Sequence, residues 1–192
     1  GEVKAKLHEL KLAFAEAKRE LRVLYDGGEH RTIYGDCPFR GWVVDWSRCC
    51  VDPEAGPRRR LEWEHAVPAA ALGRHLGSWK RGAEACVDAR SKHFRGRRCA
   101  RLASAWFRHA EGDMHNLFPA LGVLNEARAD HRLGLVAGEP RSWGRCDFEV
   151  TAGRVEPREG ARGDLARAYL YMNAAYPEAD LVGVDSAPDM IA

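Results

Sequence analysis

What the chain lacks narrows it first. No apolar run approaches the ~20 residues that a membrane-spanning helix requires, which excludes an integral helical membrane protein. The start, Gly1-Glu2-Val3-Lys4, has no continuous apolar segment of signal-peptide type. That leaves a cytoplasmic protein or a mature form whose signal has been removed. None of the six cysteines (Cys37, Cys49, Cys50, Cys86, Cys99 and Cys146) belongs to a C-x-x-C pair, which argues against zinc ribbons and thioredoxin-type redox motifs. A zinc-protease H-E-x-x-H helix is missing too. The residue four places after His65 is Ala69, and Glu64 precedes the histidine instead of following it. There is no internal repeat, no low-complexity stretch, no zinc-finger array and no evident recognition helix.

What is present suits a single globular domain over residues 1–192. An even set of scattered cysteines reads as disulfides formed in an oxidising compartment, against the plainer reading of reduced core thiols. Cys86 and Cys99 bracket a basic, glycine-containing stretch and are expected to staple it. The adjacent pair Cys49 and Cys50 is expected to take different partners, with Cys37 and Cys146 shared between them. Net charge is only +2, so its distribution matters more than its sum. Arg58-Arg59-Arg60 form one cluster; Arg90, Lys92, Arg95, Arg97, Arg98 and Arg101 crowd another around Cys99. Such clusters suit a polyanionic partner, although basic runs are also ordinary on solvated faces.

Leu7, Leu10, Phe14, Ala17, Leu21 and Leu24 recur at helical spacing and predict an amphipathic helix over 3–25, ended by Asp26-Gly27-Gly28. Strand-and-turn material follows over 31–65, then a short helix within 66–76 interrupted by Pro68 and Gly73. Helical composition returns at 100–111. A further helix is expected over 119–128 with Pro119 in its first turn, where a missing N–H is harmless. A short strand at 146–150 and a helix near 161–176 complete the pattern. The tail from about 177 is expected to be loosely packed. The fold class is α+β, a single mixed domain.

Two constellations carry chemistry. Glu62-Trp63-Glu64-His65 offers carboxylates and an imidazole together, but neighbours on a flat strand point to opposite faces. Glu64 and His65 serve one site only if the strand bends or ends there. The plain alternative is a strand end with surface ion pairs. In Asp113-Met114-His115-Asn116, Asn116 is a natural helix cap, and its amide oxygen is also a suitable Mg²⁺ ligand. His115 reads as a loop-orienting residue.

Together these segments resemble the bacterial endonuclease I family. Glu62-Trp63-Glu64-His65-Ala66-Val67-Pro68-Ala69 is similar to its E-W-E-H-V-V-P-A signature. Phe107-Arg108, with Asp113 to Leu117 and Pro119-Ala120, resembles its F-R…D-x-H-N-L-x-P-A segment. Ala161 to Met172 resembles its A-R-G-x-I-A-R-x-Y-x-Y-M helix. The resemblance implies a disulfide-stapled fold around a ββα-metal nuclease core. It implies metal-dependent, non-specific hydrolysis of DNA, with RNA as a further substrate, leaving 5′-phosphate and 3′-hydroxyl ends. Glu64 and Asn116 correspond to the metal ligands, His65 to the general base, and Arg97 in Gly96-Arg97-Arg98-Cys99 to the phosphate-binding arginine. Arg95 and Arg98 are alternatives for that arginine and, with Arg162 and Arg167, expected substrate contacts. The cofactor implied is Mg²⁺, with Ca²⁺ or Mn²⁺ as substitutes. The partner is nucleic acid held through phosphates, with no membrane. A periplasmic or secreted monomer is expected. An insertion separates Pro68 from Cys86, and the family's V-N-G-D-R is kept only in part as Leu124-Asn125-Glu126-Ala127-Arg128. The rival readings are a catalytically inactive nucleic-acid-binding module and a structural Cys/His zinc domain.

Overall fold

The computed structural model describes residues 14–52, 60–138 and 140–182. The first part of the expected N-terminal helix, Arg58, Arg59 and the end of the tail lie outside the described residues. Helix α1 (Phe14–Leu24) buries Ala17 and Leu21, one turn apart, and turns Arg19, Glu20 and Arg22 to water. These two side chains close a small apolar cluster with Trp63 and Leu117.

Strands β1 (His30–Arg31), β2 (Pro38–Arg40) and β3 (Val43–Val44) form an antiparallel meander. The ribbon that positions the site pairs β4 (Leu61–His65) with β5 (Leu117–Leu121), antiparallel, from Leu61 opposite Leu121 to His65 opposite Leu117. Between these strands come α2 (Ala69–Gly73), α3 (Gly77–Lys80), α4 (Arg97–Ala103) and α5 (Ala105–Gly112). Ser104 separates the last two and caps α5 by accepting from Phe107 N–H at 3.1 Å. After β5 follow α6 (Gly122–Arg128), β6 (Arg132–Leu133), β7 (Phe148–Thr151), β8 (Arg154–Pro157) and α7 (Glu159–Ala175). β8 lies between β6, which it meets in parallel, and β7, which it meets antiparallel. The main core runs through all of these layers, from Ile33 and Phe39 through Leu72, Phe107 and Leu124 to Leu165 and Met172.

Two expectations are corrected here. Pro119 does not open a helix; it sits inside β5, opposite Trp63, and the helix begins only at Gly122. The carbonyl of Pro119 accepts from Ile33 N–H at 2.8 Å, so its nitrogen faces the same way, off the β4 ladder. Proline is tolerated on that edge because no β4 bond is lost. The described start of the tail, 177–182, is better packed than its composition suggests. Through Leu181 it belongs to the core: Leu181 is buried, its N–H donates to Asn173 Oδ1 at 3.0 Å, and Trp106 Nε1–H donates to Glu178.

All six cysteines are bridged: Cys37–Cys49, Cys50–Cys146 and Cys86–Cys99. Cys49 and Cys50 thus take different partners, and no thiolate is left for a structural zinc. Gly35 lies where two bridges and the core converge. A Cβ there would stand 3.1 Å from both Cys37 Sγ and Leu124 Cδ1, closer than ordinary contact. Loop-closure entropy ranks the bridges. Cys50–Cys146 spans 96 residues, against 13 for Cys86–Cys99. Replacing Cys50 and Cys146 together by serine is expected to cost about 4–5 kcal/mol, and replacing Cys86 and Cys99 about 3 kcal/mol. Urea unfolding under oxidising conditions measures both; an equal or reversed order would contradict the ranking.

Candidate active site

β4 alternates, so Glu62 and Glu64 share one face. α6 lies over that face, and its Asn125 and Arg128, three residues apart, share one side of the helix. The two patterns meet. Asn125 Nδ2–H donates to Glu62 Oε2 at 3.2 Å, and Arg128 Nη1–H to Glu64 Oε1 at 2.9 Å. The Tyr34 hydroxyl donates to the same Glu64 oxygen at 2.7 Å. Arg128 is 1% exposed and also donates to the carbonyls of His65 and Ala66. It therefore grips the strand at the point where pairing ends.

That ending resolves the facing problem posed by Glu64 and His65. His65 is the last residue of β4, and both side chains line one cleft of about 470 Å³, together with Glu62, Arg97, Asn125 and Arg128. His65 Nε2 lies 2.9 Å from the carbonyl of Glu111. A carbonyl only accepts, so Nε2 carries the proton and Nδ1 is the unprotonated nitrogen. Burial first, and then the charge of Arg97, lowers the imidazole from 6.5 to about 4; the ring is neutral at physiological pH. Burial raises the Glu64 carboxyl above its ordinary range, although Arg128 and Tyr34 favour its charged form.

Arg97 is delivered by backbone geometry. Gly96 adopts φ 77° and ψ −155°, a region essentially confined to glycine, and Arg97 is the next residue, the first of α4. Its Nε–H donates to Glu111, whose carboxylate also accepts from Arg101. Glu111 is 1% exposed. Burial opposes its charge, but Arg101 and Arg97 outweigh that and hold its carboxyl below the usual range. Sequence reasoning misses Glu111. The available signal is an acidic residue sharing a helical face with Phe107 and Ala110, which are both buried.

Other expected residues fall elsewhere. Asn116 is not at the cleft. It is fully buried beside the end of β4, where Oδ1 accepts from Val67 N–H at 2.7 Å and Nδ2–H donates to the Val67 carbonyl at 3.0 Å. Both ends of its amide are occupied in fastening the chain, and Asn125 is the amide that lines the cleft. Arg162 is tied to Glu156 on β8, and Arg167 to Asp164 on its own helix; neither lines the cleft. Arg95, on the stapled loop, and Arg98, in the first turn of α4, are not among the residues lining the cleft; Arg98 lies over the Phe94 ring at 4.2 Å. Arg108 donates to the carbonyls of Arg101 and Leu102 and so finishes α4. His115 is exposed, bonded through Nδ1 to Asp113 at 3.0 Å.

The described residues contain no helix long and apolar enough to cross a membrane. The protein family whose pattern matches the chain is Endonuclease I, over residues 13–182. A periplasmic deoxyribonuclease of Aeromonas hydrophila is 38% identical over 172 residues, covering 85% of this chain and 66% of the relative. An extracellular deoxyribonuclease of the same organism is 37% identical, covering 85% and 68%. Endonuclease-1 of Buchnera aphidicola subsp. Acyrthosiphon pisum is 37% identical over 120 residues, covering 61% and 42%. The chain thus spans about two thirds of the Aeromonas relatives' length.

The depressed His65 value has a thermodynamic consequence. Between about 6.5 and about 4 the unfolded imidazole binds a proton that the folded one does not. Stability is therefore lost as pH falls through that window, by up to about 1.4 kcal/mol per pH unit, and levels off below it. Urea midpoints of wild type and His65→Gln in chelator isolate this contribution, because every other group is common to both. Parallel pH profiles for the two proteins would refute it.

Proposed function

Since the chain belongs to the Endonuclease I family, we propose that it is a metal-dependent endonuclease hydrolysing DNA phosphodiesters with little base preference, RNA being a second substrate. The observation that carries this reading is the fixed tautomer of His65 beside Glu64 in the cleft: a neutral imidazole with Nδ1 as acceptor is a ready general base. β4, β5 and α6 are read as the ββα-metal core.

The cleft's donor chemistry fits a hard dication. Glu64 offers a carboxylate and Asn125 an amide oxygen, while every cysteine is bridged, a set suited to Mg²⁺ more than to a thiophilic ion. Asn125 takes the ligand role that the sequence suggests for Asn116. A dication held there supplies neutralisation of phosphate charge. His65 Nδ1 accepts the proton of the attacking water, the bond from phosphorus to the 3′ oxygen breaks, and the departing 3′ oxygen takes a proton from solvent water, leaving 5′-phosphate and 3′-hydroxyl ends. Arg97 binds a non-bridging oxygen, its Nε anchored on Glu111 and the rest of its planar guanidinium available for phosphate. Arg95 and Arg98 contact phosphates farther from the cut. Three disulfides suit work in the periplasm or outside the cell.

Chelator is expected to stop nicking of supercoiled plasmid, and Mg²⁺ to restore it. His65→Ala should lower the rate by about 10²–10⁴-fold while DNA still binds. Asn125→Ala should raise the Mg²⁺ concentration needed for half-maximal rate. Full activity in either variant would remove that residue from its role. Limited digestion of a long duplex should give ends spread over many sequences, because phosphate contacts carry no base information; cuts confined to one short motif would overturn the non-specific assignment.

A further inference from the structure

A second groove, about 860 Å³, borders the cleft and shares Phe14, Glu62 and Trp63 with it. Lys18, Arg19 and Arg22 of α1 line it, as does Arg60, which precedes β4. Four cations against the single carboxylate of Glu62 line this groove, and Glu62 is itself paired with Arg60 at 3.0 Å. Lys18 and Arg22 are one turn apart, a rise of about 6 Å along α1, comparable to the separation of successive phosphates on one strand.

Part of the lining is aromatic. Trp42 packs on Trp63 with ring centroids 4.6 Å apart, and the Arg22 guanidinium lies 4.4 Å over its ring. The Lys18 ammonium lies 4.6 Å from the Phe14 ring centroid. Trp42 adopts φ 66° directly after Gly41 at φ 53°. A left-handed backbone is costly for so bulky a residue and persists only where its surroundings enforce it. Cations spaced along a helix beside an aromatic surface, in a channel opening onto the cleft, are the elements with which proteins track a single strand of nucleic acid. A solvated basic face would need neither the concavity nor the aromatic surface.

We propose that this groove binds the strand adjoining the scissile phosphate, with phosphates on Lys18, Arg22 and Arg60 and sugar–base surface against Trp42. The inference rests on the nucleolytic reading for its biological meaning, but binding tests it separately. It makes the footprint one-sided: substrate is gripped beyond the cut along α1 as well as at Arg97.

The test is binding of a fluorescent single-stranded oligonucleotide of about 12 nucleotides, long enough to run through the groove and past the cleft, in chelator over a range of salt. A labelled trinucleotide serves as the short probe. Lys18→Ala/Arg22→Ala is expected to weaken the longer probe about tenfold and to reduce its salt slope by about 1.4, roughly 0.7 for each single-strand phosphate that the variant leaves unneutralised. The advantage of the longer probe over the trinucleotide should shrink accordingly. Arg60→Ala, on a side chain 77% exposed and so removable without disturbing the core, should reduce the slope by about 0.7. Unchanged affinity and slope in both variants would overturn the groove, as would equal weakening of both probes. A wild type that binds with the expected length dependence yet cuts no DNA with Mg²⁺ would refute the nuclease reading and leave the groove standing.

Discussion

The arrangement turns on one buried ion pair. Arg128 and Glu64 have side chains only 1% and 5% exposed, and each depends on the other to offset the loss of water. Replacing one partner would strand the other charge in the core, at a cost of about 3–5 kcal/mol. The pair also joins elements far apart in sequence. Arg128 ends α6, Glu64 lies near the end of β4, and Tyr34 reaches the same carboxylate oxygen from the loop after β1. Because Arg128 also occupies the carbonyls of His65 and Ala66, it holds the strand terminus in the shape that brings Glu64 and His65 to one cleft.

Glu111 plays the matching part on the other side. Its carbonyl sets which nitrogen of His65 carries the proton, and its carboxylate anchors Arg97. One residue therefore aligns the proposed base with the proposed phosphate clamp, from a helix end that touches neither reacting atom. Phe14 adds a third support. Its ring centroid lies 4.8 Å from that of His65 and 5.5 Å from the Arg97 guanidinium, so α1 packs directly against the cleft.

Much of this is legible in the sequence where local chemistry decides. The E-W-E-H strand, the stapled basic loop and the helix from Ala161 follow from short-range pattern, and the glycine before Arg97 from the family resemblance. Legibility fails where long-range packing decides. Asn116 and Asn125 are only nine residues apart and equally polar. What separates them is β5, which leaves the first clasped to Val67 and places the second over the cleft. Pro119 conceals that strand, because proline reads as a helix opener until the ladder edge is known. The partly kept Leu124–Arg128 segment looks, by sequence, like a departure from the family pattern. The residues it retains, Asn125 and Arg128, are the ones that meet Glu62 and Glu64; the altered positions between them do not. Arg162 resembles a substrate contact because arginine alone does not reveal its neighbour, here Glu156.

Tyr34 links the cleft to the covalent framework. It precedes Gly35, which is packed between Cys37 Sγ, Cys50 Sγ and Leu124, so two of the cross-links hold the turn whose hydroxyl bonds Glu64. A reduced chain would lose the braces of that turn before it lost the cleft's own residues. Assembly of the carboxylate's surroundings is thus tied to thiol oxidation. The same four cysteines that stabilise the fold therefore also brace the turn that gives Glu64 one of its partners.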